Sequence, residues 1–277
     1  MSEAIGALST ATVAPAAQSA SESSTGRTLS VLGVRITDMS MHDAIDHIDR
    51  LVKRHDDRTH SIYIVNAHTL NLATDEPAFR EVLNSAGTVF GDGTGVRWAA
   101  RQRGIRLRDN LVGTDLVPEL FAATAGQGRR YYLVGADPDT IRRAAQTAQE
   151  RFPGWTLAGF HHGYINNTQS ASVVQRVNAS GADVLLVGMG NPLQEQWIHR
   201  HEHALRVPVV IGVGGLFDHW AGNIRRAPRW VRWLGYEWVQ LLLQQPKKWR
   251  RYLLGNPKFL LRITAARRSD LRQTPSA

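Results

Sequence analysis

The stretch "VFGDGTGVRWAARQR", residues 89–103, shows the kind of unit from which the chain is built. A short apolar run ends in Asp92, a Gly-Thr-Gly segment follows, and a helical pattern begins at once. A strand that passes through a glycine turn into a helix is typical of a βαβ unit. Asp92 lies at the junction, where it either caps the helix, the commoner role, or holds its charge at the mouth of a site.

Similar apolar runs recur along the chain, and stretches with helical periodicity lie between them, for example at 41–53, 114–123, 138–152 and 192–205. The strand candidates are "SIYIV" (61–65), "GTVF" (87–90), "RYYLVG" (130–135), "WTLAGF" (155–160), "DVLLVGMG" (183–190) and "PVVIGVGG" (208–215). This alternation predicts an α/β fold around a parallel sheet. Ligands of such sheets bind beyond the carboxyl ends of the strands.

Polar and glycine-rich segments follow the predicted strands, so we expect the functional groups at that edge. Asp92 is the most informative of them, because glycines beside a carboxylate let a ligand approach the backbone closely. A carboxylate in that place could accept a proton from the hydroxyl group of an acceptor. The segment "GMGNPLQEQW" (188–197) opens a helix with Asn-Pro, and either its backbone N–H groups bind an anionic ligand or Asn191 simply caps the helix.

Two further motifs favour structural roles. Asp137 and Asp139 of "ADPDT" resemble a metal-binding Asp-x-Asp pair, but Pro138 and Asp139 suit the first turn of a helix. The histidines show no ligand spacing, so we predict no metal. The segment "GVGGLFDHWAG" (212–222) resembles a dinucleotide loop, but the acidic residue expected about 20 positions later is missing. A nicotinamide-dependent oxidoreductase therefore stays only an alternative.

The charge of the chain is concentrated in its last fifth. The formal net charge is +9, and from Trp220 onward 13 Lys and Arg face 2 Asp and Glu, together with five of the eight tryptophans. Apolar residues recur there at helical spacing with cations between them, which is typical of a helix lying in a membrane interface. The alternative is a helix whose apolar stripe packs on the core. Arg225, Arg226 and Arg229 could also clamp a diphosphate.

These patterns predict three segments. Residues 1–27 are rich in Ala, Ser and Thr and read as a disordered tail, without the basic start and apolar stretch of a signal peptide. Residues 28–219 form the predicted core, and residues 220–277 a basic, Trp-rich helical appendage. No window approaches the roughly 20 apolar residues of a spanning helix. We therefore expect a cytoplasmic protein, peripheral on the inner face of the cell membrane.

Taken in order, a series of motifs over residues 29–259 resembles the WecG/TagA/CpsF glycosyltransferases, glycosyltransferase family 26. The motifs are "VNAHTLNLA", "GDGTGVRWAAR", "VGTDLVPEL", "YYLVGA", "DVLLVGMGNPLQEQW", "GVGGLFDHWAGNIRRAPRW" and "GYEW…QQPKKWRRYLLGNP". The resemblance implies a Rossmann-like core with a C-terminal membrane-associating appendage. It also implies inverting, metal-independent transfer of a hexose or N-acetylhexosamine from a UDP-sugar to a polyprenyl-diphosphate-linked saccharide. Such transfers build teichoic acid, capsule, enterobacterial common antigen or exopolysaccharide.

The resemblance also assigns site residues. Asp92 matches the proposed general base, Asn66 and His68 lie in the loop near the sugar, and Gln194 matches a pocket glutamine. Arg226 matches an arginine thought to hold the diphosphate. The chain departs from the family's usual arginines at three positions, which are Asn110, Leu241 and Lys248.

The expected partners are the UDP-sugar, the lipid-linked acceptor and an anionic membrane surface, with no cofactor and no nucleic acid. The core and the Trp-rich helices could also form subunit contacts, so a homo-oligomer is compatible with the sequence. The remaining alternative is a non-catalytic protein that uses its basic tail to bind anionic lipid or nucleic acid.

Overall fold

The computed structural model describes residues 26–54, 56–225, 237–244, 249–266 and 273–274. In chain order the strands are β1 (Arg27–Val31), β2 (Val34–Asp38), β3 (His60–Val65), β4 (Thr88–Gly91), β5 (Arg130–Gly135), β6 (Thr156–His161), β7 (Val184–Gly188), β8 (Val209–Gly212) and β9 (Gln273–Thr274). The helices are α1 (Met41–Lys53), α2 (Ala67–Asp75), α3 (Pro77–Ser85), α4 (Gly93–Arg101), α5 (Gly113–Ala123), α6 (Pro138–Arg151), α7 (Asn167–Ala179), α8 (Leu193–His201), α9 (Leu216–Trp220), α10 (Glu237–Gln244), α11 (Trp249–Leu253) and α12 (Gly255–Ala265).

Six strands form a sheet in the order β4-β3-β8-β7-β5-β6, and every neighbouring pair in it is parallel. The predicted α/β fold with a parallel sheet is confirmed, and each predicted strand is found with its ends shifted by three residues at most. Because all the strands point the same way, the segments that follow them meet at one edge of the sheet. The carboxyl edge therefore gathers the residues that the sequence singled out.

The sheet is covered on both faces, as a parallel sheet requires. Alternate residues of β3 divide between two apolar clusters, with Tyr63 and Val65 in one and Ile62 and Ile64 in the other. Since alternate side chains of a strand point to opposite faces, the clusters lie on opposite sides of the sheet. The first cluster includes residues of α2, α3, α4, α7 and α8, and the second includes residues of α1, α5, α6 and α9.

A second, antiparallel sheet with the order β2-β1-β9 was not predicted. The β1–β2 hairpin turns through Leu32 and Gly33, both with positive φ, of 51° and 79°. Two such residues in sequence are typical of a tight hairpin turn, but Leu rarely takes the first position. The hairpin begins at Arg27, the last residue of the predicted tail, and residues 1–25 of that tail lie outside the described residues.

The end of the chain returns to the core through α12. Phe259 and Ile263 of this helix are buried in the first apolar cluster. Lys258 Nζ lies 2.9 Å from Asp75 Oδ2, and Arg262 donates to the carbonyl oxygen of Asn71 at 2.9 Å. Within the described part of the chain, no helix combines the length and the apolar content needed to cross a membrane. The division at 219/220 stays a prediction.

Candidate active site

Asp92 and Asn66 lie side by side at the carboxyl edge of the sheet. Strands β3 and β4 pair with Val65 opposite Gly91, and the backbone N–H of Asp92 donates to Val65 O at 2.8 Å. Asp92 occupies the N-cap position of α4, but its side chain accepts no cap hydrogen bond. The N–H of Gly93 donates instead to Asn110 Oδ1, at 2.6 Å. A distant loop thus caps α4, and the half-buried Asp92 carboxylate is not used for capping.

Asn66 does cap its own helix. Its Oδ1 accepts hydrogen bonds from the backbone N–H groups of His68 at 3.0 Å and Thr69 at 3.3 Å. Thr69 Oγ1 in return accepts from the backbone N–H of Asn66, which completes a capping box. His68 lies half-buried in the first turn of α2. Asn66 Nδ2, a donor, makes no hydrogen bond within the described residues, so it can serve a ligand at this edge.

Gln194 is buried, with 1% of its surface exposed. Its Oε1 accepts from the backbone N–H of Gly214 at 3.0 Å, and its Nε2 donates to Glu195 Oε1 at 2.8 Å. The side chain therefore joins the first turn of α8 to the loop after β8. Gln194 can influence a ligand mainly through the position of Gly214, and a diphosphate at this loop would depend on N–H groups other than that of Gly214.

Glu195 is the residue of this region that sequence reasoning missed. It is fully buried, and its Oε1 accepts from Gln194 Nε2 and Asn191 Nδ2, whereas Oε2 is buried without a partner among the described residues. Burial raises the pKa of Glu195 to about 7. Of the two alternatives for Asn191, the cap of α8 is ruled out, because Pro192 holds the N-cap position and the Asn191 amide donates to Glu195. A signal was available: Glu195 precedes the buried Ile198 by three positions, on the same helix face.

Glycines at the carboxyl edge fall into two groups. A Cβ placed on Gly95 would lie 3.0 Å from Ala67 Cβ, and one on Gly188 would lie 2.7 Å from the Phe217 ring, so these glycines allow close packing. A second group would meet nothing within 4 Å, and it contains Gly93, Gly190, Gly214 and Gly215. The second group leaves backbone open beside the ends of β4, β7 and β8, where a ligand can approach it.

Two cavities formed by described residues lie at opposite edges of the sheet. A cavity of about 350 Å³ is lined by Met41, Arg97, Arg108, Asp109, Asn110 and Glu119. It touches the candidate site through Asn110, the residue that caps α4. A cavity of about 300 Å³ is lined by His47, Leu51, Arg54, Asp56, Arg58, His60, Gly87 and Thr88. His60 and Thr88 begin β3 and β4, so this second cavity lies at the amino edge, away from Asp92.

Asp137 and Asp139 form a helix start, as predicted. Asp137 Oδ1 accepts from the backbone N–H groups of Asp139 and Thr140, both at 3.0 Å, and Pro138 begins α6. Among the described residues, no three His, Asp or Glu side chains converge as metal ligands would. The predicted substrate-binding residues Arg226 and Lys248 lie outside the described residues.

Comparison with known proteins decides the family. The Glycosyl transferase WecG/TagA/CpsF family matches the chain over residues 29–273. The chain belongs to this family. The resemblance drawn from the sequence motifs is thereby confirmed, and the chain is a glycosyltransferase by family.

Two curated relatives show what proteins of this kind do. A Staphylococcus aureus (strain MW2) protein is 32% identical over 238 residues, which cover 86% of this chain and 92% of the relative. A Bacillus subtilis (strain 168) protein is 31% identical over 218 residues, which cover 78% and 84%. Both are named N-acetylglucosaminyldiphosphoundecaprenol N-acetyl-beta-D-mannosaminyltransferase. These relatives transfer an amino sugar to a lipid-linked saccharide.

Proposed function

We propose that this glycosyltransferase moves a hexose or N-acetylhexosamine from a UDP-sugar to a polyprenyl-diphosphate-linked saccharide during the assembly of a bacterial surface polysaccharide. Transfer inverts the anomeric centre and needs no metal. The observation that carries the proposal is the half-buried Asp92 carboxylate, which lies at the carboxyl edge beside open glycine backbone and leaves the capping of α4 to Asn110. The names of the relatives favour an N-acetylhexosamine as the sugar and an undecaprenyl-diphosphate-linked acceptor.

We place the donor over the ends of β3, β8 and β7. Asn66 Nδ2 can donate to the sugar or ribose from the first of these strands, with His68 beside it. Gln194 holds the Gly214 loop, and the open backbone at Gly190 and Gly215 admits the diphosphate. In the proposal Arg226 and Lys248 add cations to the leaving diphosphate, since without a metal cations and helix N-termini must stabilise its charge.

Asp92 supplies the base. It accepts the proton of the acceptor hydroxyl as that oxygen attacks the anomeric carbon from the face opposite UDP. One C–O bond forms while the C–O bond to UDP breaks, so the anomeric centre inverts and UDP leaves as the diphosphate anion. General base catalysis of this kind contributes roughly 10²–10⁴-fold to a rate.

The C-terminal helices present the surface that we propose for the membrane. In α12 one face enters the core through Phe259 and Ile263, while the leucines elsewhere on α11, α12 and the residue between them are exposed. These exposed leucines are Leu253, Leu254, Leu260 and Leu261. Together with the exposed Arg250 they combine apolar and cationic groups, as a helix in a lipid interface does. The placement suits a cytoplasmic enzyme, peripheral on the inner face of the membrane, whose acceptor is a lipid.

The function is tested by a transfer assay with the full chain. UDP-glucose, UDP-N-acetylglucosamine and UDP-N-acetylmannosamine are each offered with a short-chain polyprenyl-diphosphate-linked N-acetylglucosamine, and UDP release and glycolipid mass are measured. We expect one donor to give a product heavier by one sugar, in the presence of EDTA. Absence of a glycolipid product with every donor, together with thermal stabilisation by NAD(P) and not by UDP, would contradict the proposal.

Membrane association is tested by flotation with vesicles that contain anionic lipid. The double variant Leu260→Asp and Leu261→Asp should bind the vesicles at least about tenfold more weakly than the wild type. The reason is that neither side chain can then be buried in the lipid interface. Leu193→Asp is the control, because Leu193 is also an exposed leucine but begins α8, away from the C-terminal helices. Its exposed fraction is 61%, against 70% for Leu261. If the two variants bind the vesicles equally well, α12 does not provide the lipid-binding surface.

A further inference from the structure

We propose that the cavity of about 350 Å³ beside Asp92 binds the sugar headgroup of the acceptor. This cavity, called here the α4–α5 cavity, is lined by Met41, Arg97, Arg108, Asp109, Asn110 and Glu119. The inference rests on the proposed function and assigns one of its two substrates to a place in the fold.

The position of the cavity relative to Asp92 is the first argument. Asn110 lies in its wall and accepts from the N–H of Gly93, the residue next to Asp92. Strand β4 is the outermost strand of the six-stranded sheet, so a donor over β3, β8 and β7 occupies only one side of Asp92. Strand β4 leads through Asp92 into α4, and the cavity is lined by Arg97 of α4 and by Asn110 of the loop that precedes α5. A general base must reach both substrates, and the proposal puts the donor over β3 and the acceptor headgroup toward α4.

The lining is the second argument, because it combines a fixed frame with unpaired charges. Asp109 Oδ2 accepts from the backbone N–H of Met41 at 2.8 Å, and Arg108 donates to Asp43 Oδ2 at 3.1 Å. These bonds hold the loop before α5 against the start of α1. The side chains of Arg97 and Glu119 are exposed and form no ion pair or hydrogen bond within the described residues. A guanidinium and a carboxylate that line a cavity without an ion-pair partner can donate to and accept from sugar hydroxyl groups.

The chemistry of the lining also selects among ligands. The lining contains two arginines and two acids, so it carries no net charge and favours a neutral polyhydroxyl ring over an isolated diphosphate. Met41 is the single apolar side chain of the lining, which does not suit a polyprenyl chain. The volume lies near the lower end of small-molecule pockets, roughly 300–1,000 Å³, and this suits one or two sugar rings. The headgroup saccharide is the part of the acceptor that fits.

Acceptor kinetics test the inference with Arg97→Ala and Glu119→Gln in the full chain. Each variant should raise the KM for short-chain polyprenyl-diphosphate N-acetylglucosamine about tenfold or more, with the donor KM unchanged within about twofold. Arg101→Ala is the matched control, because Arg101 is an exposed arginine one turn further along α4 that does not line the cavity. The inference is overturned if the acceptor KM is unchanged in Arg97→Ala and in Glu119→Gln. It is also overturned if these variants raise the donor KM as much as the acceptor KM.

A binding measurement separates this inference from the proposed function. Saturation-transfer NMR with the same acceptor analogue and catalytically idle protein, without donor, reports contact with the sugar protons. We expect signals at the acetyl and ring protons that weaken in Arg97→Ala and persist in Arg101→Ala. If the wild-type chain transfers sugar but Arg97→Ala keeps these signals as fully as Arg101→Ala does, the cavity is not the acceptor site. If no donor supports transfer while the signals still depend on Arg97, the proposed function fails and the saccharide site stands.

Discussion

Two carboxylates at the carboxyl edge, Asp92 and Glu195, occupy similar places in the fold and have opposite surroundings. Each lies where a strand of the parallel sheet passes into a helix, and each has an asparagine nearby. Asn110 caps α4 in place of Asp92, whereas Asn191 donates directly to the Glu195 carboxylate. Asp92 is half-buried, and Glu195 is fully buried. The comparison shows that neighbouring hydrogen bonds, more than residue type, decide which acid becomes part of the buried scaffold.

The surroundings also separate the two acids in their electrostatics. Glu195 Oε2 is buried without a partner among the described residues, and burial raises the pKa of this carboxyl to about 7. A buried acid of this kind is a component of the scaffold: it holds Gln194, which in turn holds the Gly214 loop. Substitutions at Asp92 should therefore change chemistry with little change in stability, and substitutions at Glu195 should change stability and its dependence on pH.

The largest effect is expected for Asp92→Asn. The amide keeps the shape of the side chain but cannot accept the proton, so turnover should fall by roughly 10²–10⁴-fold. The cap of α4 is supplied by Asn110, so the midpoint of thermal unfolding should stay close to that of the wild type. Turnover is measured by UDP release at saturating donor and acceptor.

The control for this variant is UDP affinity, measured by calorimetry on the same preparation. An unchanged affinity shows that the donor site is intact, and the loss then belongs to the chemical step. If a variant that still binds UDP keeps turnover near the wild-type value, Asp92 is not the general base. The proposed functional difference between Asp92 and Glu195 would then be wrong.

The next effect concerns Glu195→Gln and pH. Between the ordinary pKa of 4.5 and the raised value of about 7, the folded chain keeps a proton that the unfolded chain has released. The contribution of Glu195 to the free energy of unfolding is therefore fully present below pH 4.5. It is lost as the pH rises through 7, and the loss is up to about 3 kcal/mol. Glutamine does not titrate, so the variant should gain stability relative to the wild type between pH 5 and pH 8.

Urea unfolding of both proteins at pH 5 and pH 8 measures this difference. The glutamine side chain still offers one oxygen to Asn191 and Gln194, so the hydrogen bonds of the scaffold are matched in the two proteins. Parallel stability curves would show that Glu195 is already ionised in the folded chain, and that the two acids differ less than their burial indicates.

Sequence patterns were sufficient for the main sheet because its strands are short, mostly apolar runs separated by stretches with helical periodicity. The buried β7, "VLLVG", has no polar residue at all, which a parallel sheet covered on both faces demands. The β1–β2 hairpin was missed for a physical reason. Its strands carry Arg27, Thr28, Arg35 and Thr37 among apolar residues, and Leu32 stands where a hairpin turn usually has Asn or Gly.

The candidate site was predictable in place but not in detail. The parallel sheet brings Asn66 and Asp92 together, since the strand register follows from the apolar runs. The direction of side-chain hydrogen bonds depends on contacts between distant segments, such as Asn110 with Gly93 across 17 positions. Gln194 was predicted to meet substrate, yet the fold buries it behind Gly214. Its direct contact with substrate stays a prediction.

The smallest effect is expected for substitutions of Asn110. They test whether the hydrogen bond from Gly93 to Asn110 is the reason that Asp92, unlike Glu195, is not drawn into the scaffold. Asn110→Ala removes the acceptor for the N–H of Gly93, and the loss of such a cap costs about 1 kcal/mol of the free energy of unfolding. Asn110→Asp retains an acceptor oxygen and should be nearly as stable as the wild type in urea unfolding. If the alanine variant loses no stability, another acceptor has replaced Asn110, and the candidate is the carboxylate of Asp92, the residue that precedes Gly93. Asp92 would then be shared between cap and catalysis, and turnover would fall in the alanine variant without any loss of folded protein.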